Sequence, residues 1–299
     1  MNKGLITLLI FTSYLCSEVW IETTQEDFKD GIYECNLYSS WKNGGTIEFV
    51  SKWDFNCDGY IDLVVANEQA SVSYVYWGSA SGYSASNCTN YSVTNGGGCE
   101  SADLNNDGYP ELLFTNYTGY RIRIFKGTAT GPNPNDYNDI PLTALCEGCY
   151  VADFNKDGYL DIIASNYGNS NCGIFWGSAT GYSPSNMITL PGIGQHNVEV
   201  ADFDKNGWLD FILVRDAANT SIIYWGSSTG FNPMNKTEIQ NPPGGNCHGC
   251  SVAELNGDNN LDVVLTCFAG GSQMYIYRGD GQAFYLWQTL SPGSCYGGS

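Results

Sequence analysis

The sequence predicts an all-β protein built of repeated four-stranded antiparallel sheets, and three observations carry that prediction. An acidic loop motif recurs five times in phase. An aromatic and glycine block follows each copy at a nearly fixed distance, and no stretch holds a helical period over three turns.

The loop segments DFNCDGYIDLVVAN, DLNNDGYPELLFTN, DFNKDGYLDIIASN, DFDKNGWLDFILVR and ELNGDNNLDVVLTC begin at Asp54, Asp103, Asp153, Asp202 and Glu254. The blocks YVYWGSASG, IRIFKGTATG, GIFWGSATG, IIYWGSSTG and YIYRGDG follow in the same order. Sixteen residues separate the last acid of a loop from the glycine of its block in four units (Asp62 to Gly78, Glu111 to Gly127, Asp161 to Gly177, Asp210 to Gly226), and seventeen in the fifth (Asp262 to Gly279).

Within the third unit the apolar pieces GCYVADF, LDIIASN, CGIFWG and MITLP are separated by Gly, Asn and Ser clusters, and they read as four strands, A to D. Strands this short with links this short pair antiparallel, which makes each unit a meander. A meander of about 50 residues cannot bury both faces alone, so copies must pack on one another, as blades of a β-propeller do. Five units over roughly residues 46–290 give five blades; six or more with a degenerate blade is the competing count. The domain organisation that follows is a signal peptide at 1–17, an N-terminal extension or closing strand at 18–45, and the propeller at 46–299. Cys35 with Cys295 is a candidate staple for the ring junction.

Residues 1–17, MNKGLITLLIFTSYLCS, hold one lysine, an apolar run and small residues near Ser17. That pattern reads as a secretory signal, and its apolar run is shorter than the ~20 residues that span a bilayer. Removal of the signal leaves no segment for membrane insertion. Twelve cysteines and sequons at Asn87, Asn90, Asn116, Asn219 and Asn235 agree with a secreted or extracellular-surface location.

Acidic residues dominate the charge, with 31 Asp and Glu against 12 Lys and Arg and a formal net charge of −19. Such a surplus repels phosphate backbones and anionic lipid, so nucleic acid is not an expected partner. A cation is.

Each loop carries oxygen-bearing residues at positions 1, 3, 5 and 9, and four of the five have glycine at position 6. This is the front half of an EF-hand-type loop, in which alternate side chains of a tight turn point at one centre. A backbone carbonyl at position 7 adds to the shell. The expected calcium ligands are Asp54, Asn56, Asp58, Tyr60 and Asp62; Asp103, Asn105, Asp107, Tyr109 and Glu111; Asp153, Asn155, Asp157, Tyr159 and Asp161. In the last two units they are Asp202, Asp204, Asn206, Trp208 and Asp210, then Glu254, Asn256, Asp258, Asn260 and Asp262. Oxygen-only donors favour calcium over zinc. The fifth site departs most, because Asn259 stands at the glycine position and Glu254 leads.

The DxNxDGxxD loop in units of about 50 residues resembles the FG-GAP or VCBS repeat family, which includes the integrin α-subunit propeller, secreted lectins and bacterial surface proteins. The resemblance spans roughly residues 46–290 and implies a propeller with calcium loops on one face. An integrin subunit is not expected, because nothing in the sequence resembles an integrin leg or inserted domain.

Cys146 with Cys149 and Cys247 with Cys250 stand at matching places before strand A, and local disulfides are expected there, with Cys88 to Cys99 a third; Cys57, Cys172 and Cys267 have no evident partner. Zinc held by the two CxxC pairs is the lesser alternative. His196 and His248 each precede a loop by six residues and so occupy equivalent turns at the far end of strand A, as loop residues or ligand contacts. The strand B ends Asn67, Asn116, Asn166 and Arg215 reach the same face. The strand C aromatics Tyr76, Trp77, Phe125, Phe175, Trp176, Tyr224, Trp225, Tyr275 and Tyr277 are expected to pack between blades.

No GxSxG, HExxH or phosphate loop is present, and no catalytic residue is assigned. The expected function is a calcium-binding extracellular recognition module for a glycan or protein ligand. A self-associating structural or filament component and a polysaccharide-active enzyme are the alternatives.

Overall fold

The computed structural model describes residues 39–43, 46–50, 54–56, 58–67, 70–167, 171–192, 194–216, 218–244, 246–267 and 273–291, with backbone alone over the first two stretches. The signal segment, Cys35, Cys57 and Cys295 lie outside the described residues.

Among the described residues all the regular structure is β, in antiparallel sheets that follow chain order. β1 (Ser39–Asn43) and β2 (Thr46–Val50) pair as a hairpin, and β3 (Leu63–Val65), β4 (Ser73–Tyr76) and β5 (Cys88–Tyr91) form a three-stranded sheet. Four sheets of four strands follow. The first is β6 (Gly96–Ala102), β7 (Glu111–Asn116), β8 (Arg121–Phe125) and β9 (Tyr137–Pro141). The second is β10 (Leu145–Ala152), β11 (Asp161–Tyr167), β12 (Asn171–Phe175) and β13 (Met187–Pro191). Next come β14 (Gln195–Ala201), β15 (Asp210–Arg215), β16 (Thr220–Tyr224) and β17 (Lys236–Gln240). The last is β18 (Cys247–Ala253), β19 (Asp262–Cys267), β20 (Met274–Gly279) and β21 (Phe284–Leu290).

The first unit departs from the expected blade. β2 holds the sequence place of its strand A but pairs with β1, so the backbone of β3 has β4 as its ladder partner. Leu63 and Val65 are consequently 45% and 41% exposed.

Four apolar clusters hold the sheets in series, each between consecutive units. Phe55, Val75 and Tyr91 meet Leu112, Phe114 and Phe125; Leu113 and Ile124 meet Val151, Ile162 and Phe175. Ile163 and Ile174 meet Val200, Phe211 and Tyr224; Ile212 and Trp225 meet Val263, Leu265 and Tyr277. Adjacent residues such as Tyr224 and Trp225 enter opposite interfaces, because successive side chains at a strand end point to opposite faces. Eight of the nine strand C aromatics therefore pack between sheets as expected, and Tyr76 instead lies against Tyr74 of its own strand. No cluster among the described residues joins the last sheet to the first, and β21 leaves Tyr285, Leu286, Trp287 and Leu290 exposed.

Strand A of each sheet packs on strand A of the next, which makes β6, β10, β14 and β18 the inner strands. Their register with strand B slips at one place in every unit: between Gly96 and Cys99, Cys146 and Cys149, Gln195 and Asn197, and Cys247 and Gly249. These are β-bulges near the start of strand A, one strand length, or roughly 20 Å, from the acidic loops.

The cysteine pairing differs from the sequence expectation. Cys247 is disulfide-bonded to Cys267, its direct cross-strand partner between β18 and β19. The slip at the bulge carries Cys250 on to Leu265 instead. Cys88, Cys99, Cys146, Cys149, Cys172 and Cys250 are thiols.

Candidate functional site

The five loops share one backbone design. Position 6 takes a left-handed conformation at Gly59, Gly108, Gly158 and Gly207 (φ +88°, +88°, +89° and +85°), and Asn259 adopts it in the fifth loop at +70°. Asparagine tolerates this region better than other residues with a Cβ, so the missing glycine does not change the turn.

The first-position carboxylate folds the loop around itself. Asp202 accepts the backbone N–H groups of Asn206 at 3.0 Å and Gly207 at 2.8 Å, and Asp54, Asp103 and Asp153 do the same. Glu254, one methylene longer, takes Asn256 and Gly257 instead. Position 5 accepts the N–H of position 7: Asp58 from Tyr60, Asp107 from Tyr109, Asp157 from Tyr159, Asn206 from Trp208 and Asp258 from Asn260, at 2.7–3.0 Å.

The ninth position explains the sixteen-residue spacing. One oxygen of Asp62, Glu111, Asp161, Asp210 and Asp262 accepts the N–H of loop position 2 at 2.8–3.0 Å. The other accepts the N–H of Gly78, Gly127, Gly177, Gly226 or Gly279 at 2.7–3.2 Å. The acid thus braces the loop to the end of strand C. Only glycine fits there, since a Cβ would stand 2.1–2.3 Å from a backbone carbonyl oxygen of Ile61, Tyr109, Leu160, Leu209 or Leu261.

Each ninth-position acid is buried while positions 3 and 5 lie nearer the rim. Burial, followed by the neighbouring carboxylates, pushes Asp62 up to about 6, Asp161 and Glu111 to about 7, and Asp210 to about 8. Such clusters gain from a proton or a cation. In the fourth loop one carboxylate oxygen each of Asp202, Asp204 and Asp210 lies within 4.8 Å of the others. That all-oxygen donor set fits a hard divalent ion. Lysines at position 4 link neighbouring loops: Lys156 donates to the Gly207 carbonyl and caps the Trp208 ring, and Lys205 donates to the Asn259 carbonyl.

At the far end of strand A the bulges bring together side chains from three sheets. Glu147, His196 and His248 sit in the bulges of β10, β14 and β18. The two imidazoles stack with ring centroids 3.8 Å apart and planes 17° from parallel. His196 Nδ1 pairs with Glu147 Oε2, His196 Nε2 lies 3.8 Å from Asp216 Oδ2, and His248 Nε2 lies 3.6 Å from Asp216 Oδ1. Tyr167 donates its hydroxyl to Asp216 at 3.2 Å and sets its ring edge against His196. Burial and the facing His196 hold His248 below its ordinary pKa.

The histidines were legible as equivalent positions, whereas Glu147, Asp216 and Tyr167 were missed. The equivalent placement of Tyr117, Tyr167 and Asp216 at or just past the end of strand B was the available signal. Of the strand B ends, Asn116 is buried and accepts the Gly119 N–H, and Asn166 donates to the Asn171 carbonyl, so both close turns. The other four sequon asparagines are exposed.

Among solved structures, a putative 6-phosphogluconolactonase from Bacteroides fragilis is similar at 12% identity and TM-score 0.56, covering 92% of this chain and 85% of its own. BBS1N, crystallised with ARL6DN, is similar at 12% identity and TM-score 0.44, covering 82% of each chain. The first likeness is one of fold alone. No curated protein matches this sequence. Residues 54–114, 103–164, 153–213 and 202–265 each match the model of the FG-GAP-like repeat, overlapping in the phase of the acidic loops. With those repeats covering most of its length, the chain belongs to the FG-GAP-like repeat family.

Proposed function

We propose that this chain is a secreted, calcium-loaded propeller that acts as an extracellular recognition module, binding a glycan or a protein on the face away from its acidic loops. The observation that carries the calcium part is the fourth loop, where Asp202, Asp204 and Asp210 gather three carboxylate oxygens within 4.8 Å. The same backbone recurs in the other loops. Positions 1, 3, 5 and 9 of each loop would hold the ion through side chains, with Tyr60, Tyr109, Tyr159, Trp208 and Asn260 contributing carbonyls. The bound ion offsets carboxylate repulsion and so stabilises the loop that joins strands A and B.

The recognition part rests on FG-GAP-like repeats being those of extracellular-type modules, together with a face where tyrosines, histidines and acids cluster. Aromatic faces beside hydrogen-bonding groups suit a sugar or a polar protein surface. The Cys247 to Cys267 disulfide supports an oxidising compartment. The family match names no reaction, so an enzyme reading gains nothing from it.

The test is a glycan array probed in calcium and again in chelator. Calcium-dependent binding to one sugar class supports a lectin. A blank array from folded, calcium-loaded protein removes the glycan reading and leaves protein adhesion.

One observation favours the structural alternative. Tyr285, Leu286, Trp287 and Leu290 on β21 are 42–50% exposed. Sedimentation velocity over a concentration series decides it: concentration-dependent polymers favour assembly, and a constant monomer argues against it.

A further inference from the structure

We infer that His196, His248 and Asp216 form a binding site for a borderline divalent transition ion, zinc being the type case, on the face opposite the acidic loops.

The argument starts from ligand atoms. One ring nitrogen of each histidine and a carboxylate oxygen of Asp216 all lie within 4.8 Å of one another. The carboxylate faces both rings, with Oδ2 3.8 Å from His196 Nε2 and Oδ1 3.6 Å from His248 Nε2. In a tetrahedral zinc site with bonds near 2.0–2.2 Å, ligand atoms stand about 3.3–3.5 Å apart. Small side-chain rotations close the difference. An imidazole donates in its own plane, so the nearly parallel rings must also fan apart as an ion enters.

The surroundings are those of a metal site. Glu147 pairs with Nδ1 of His196, which leaves Nε2 as the ligating atom; this is the carboxylate, histidine and metal relay of many zinc centres. Tyr167 orients the carboxylate by donating its hydroxyl to Asp216 Oδ2, the oxygen that faces His196. The four charged or titratable side chains retain only 10–14% exposure, enough for entry of an ion and low enough to strengthen its attraction to the carboxylates. Two imidazoles and one carboxylate leave a fourth position open, as in sites where zinc carries water or an exchangeable ligand. Nitrogen donors also separate this site from the oxygen-only loops, which take harder ions.

These two residues are the only histidines in the chain, so the site can be read without a variant. Zinc is titrated calorimetrically into the full chain with saturating calcium present, while the imidazole resonances are followed by NMR. One equivalent should bind, and both histidine signals should move together. Cobalt should give the visible absorption of a tetrahedral site with no thiolate charge-transfer band. Asp216→Asn should abolish the tight phase, and Glu147→Gln should weaken it about tenfold or more while the calcium-dependent melting stays unchanged.

Absence of a zinc equivalent overturns the inference, as does a thiolate band or unchanged affinity in Asp216→Asn. The inference does not rest on the calcium reading, whose failure would show separately as a melting curve indifferent to chelator.

Discussion

Replacement of Asp210 by asparagine separates the two roles of the ninth loop position. The fully buried Asp210 carboxylate accepts two backbone bonds, from Phe203 at 2.8 Å and Gly226 at 2.7 Å. An amide keeps one acceptor oxygen and turns an NH2 toward the other N–H, so one bond is lost and one buried donor is orphaned. Without an ion the effect is modest, because burial holds Asp210 near pKa 8 and an amide resembles the protonated acid. The expected cost in chelator is about 1–2 kcal/mol, or roughly 5 °C of melting temperature. In calcium the variant also loses a charged ligand. If the fourth site is filled at about 100 times its Kd, roughly 2.7 kcal/mol of binding linkage goes too, and the total drop becomes about 10 °C or more. Differential scanning calorimetry at pH 7, with calcium and with chelator, reads both numbers. Equal shifts in the two conditions would refute the cation role of Asp210, and no shift in either would refute the brace.

Gly226→Ala tests the brace from its other end: with Leu209 O only 2.1 Å from the new Cβ, it should cost more than Asp210→Asn in both conditions, seen as a lower denaturation midpoint. A midpoint equal to wild type would show that strand C can shift. The inner strands predict a pH effect. Glu100 and Glu199, equivalent residues of β6 and β14, are both raised from 4.5 to about 8 by burial, with Glu199 further raising Glu100. The folded state therefore holds their protons more tightly, so their contribution is complete below pH 4.5 and is lost as pH rises towards 8, at about 1.4 kcal/mol per pH unit for each proton. Urea denaturation between pH 5 and 8 in calcium should give a shallower decline for Glu199→Gln than for wild type, and parallel lines would count against it.

The repeat and its loops were legible because their information is local. A turn that wraps a carboxylate fixes residue types within nine positions, and the acid-to-glycine spacing follows from one hydrogen bond closed between adjacent strands. Even the fifth loop, doubtful on its Asn259, takes the common conformation because only the sign of φ matters there. The disulfide was missed for a contrasting reason. CxxC spacing suggests a local bridge, yet the bulge at His248 leaves Cys247 opposite Cys267 and carries Cys250 past it.

Period, the strand order of the last four units, the loop turns and most of the aromatic seams between sheets were determined by the sequence, since each depends on residues within one unit or on the recurrence of units. The site shared by Glu147, His196, Asp216 and His248 was decided only by the tertiary structure. Its members come from three units, and they meet because inner strands of successive sheets converge and a bulge in each re-aims one side chain. Convergence of that kind is a property of how sheets pack, and no spacing along the chain encodes it.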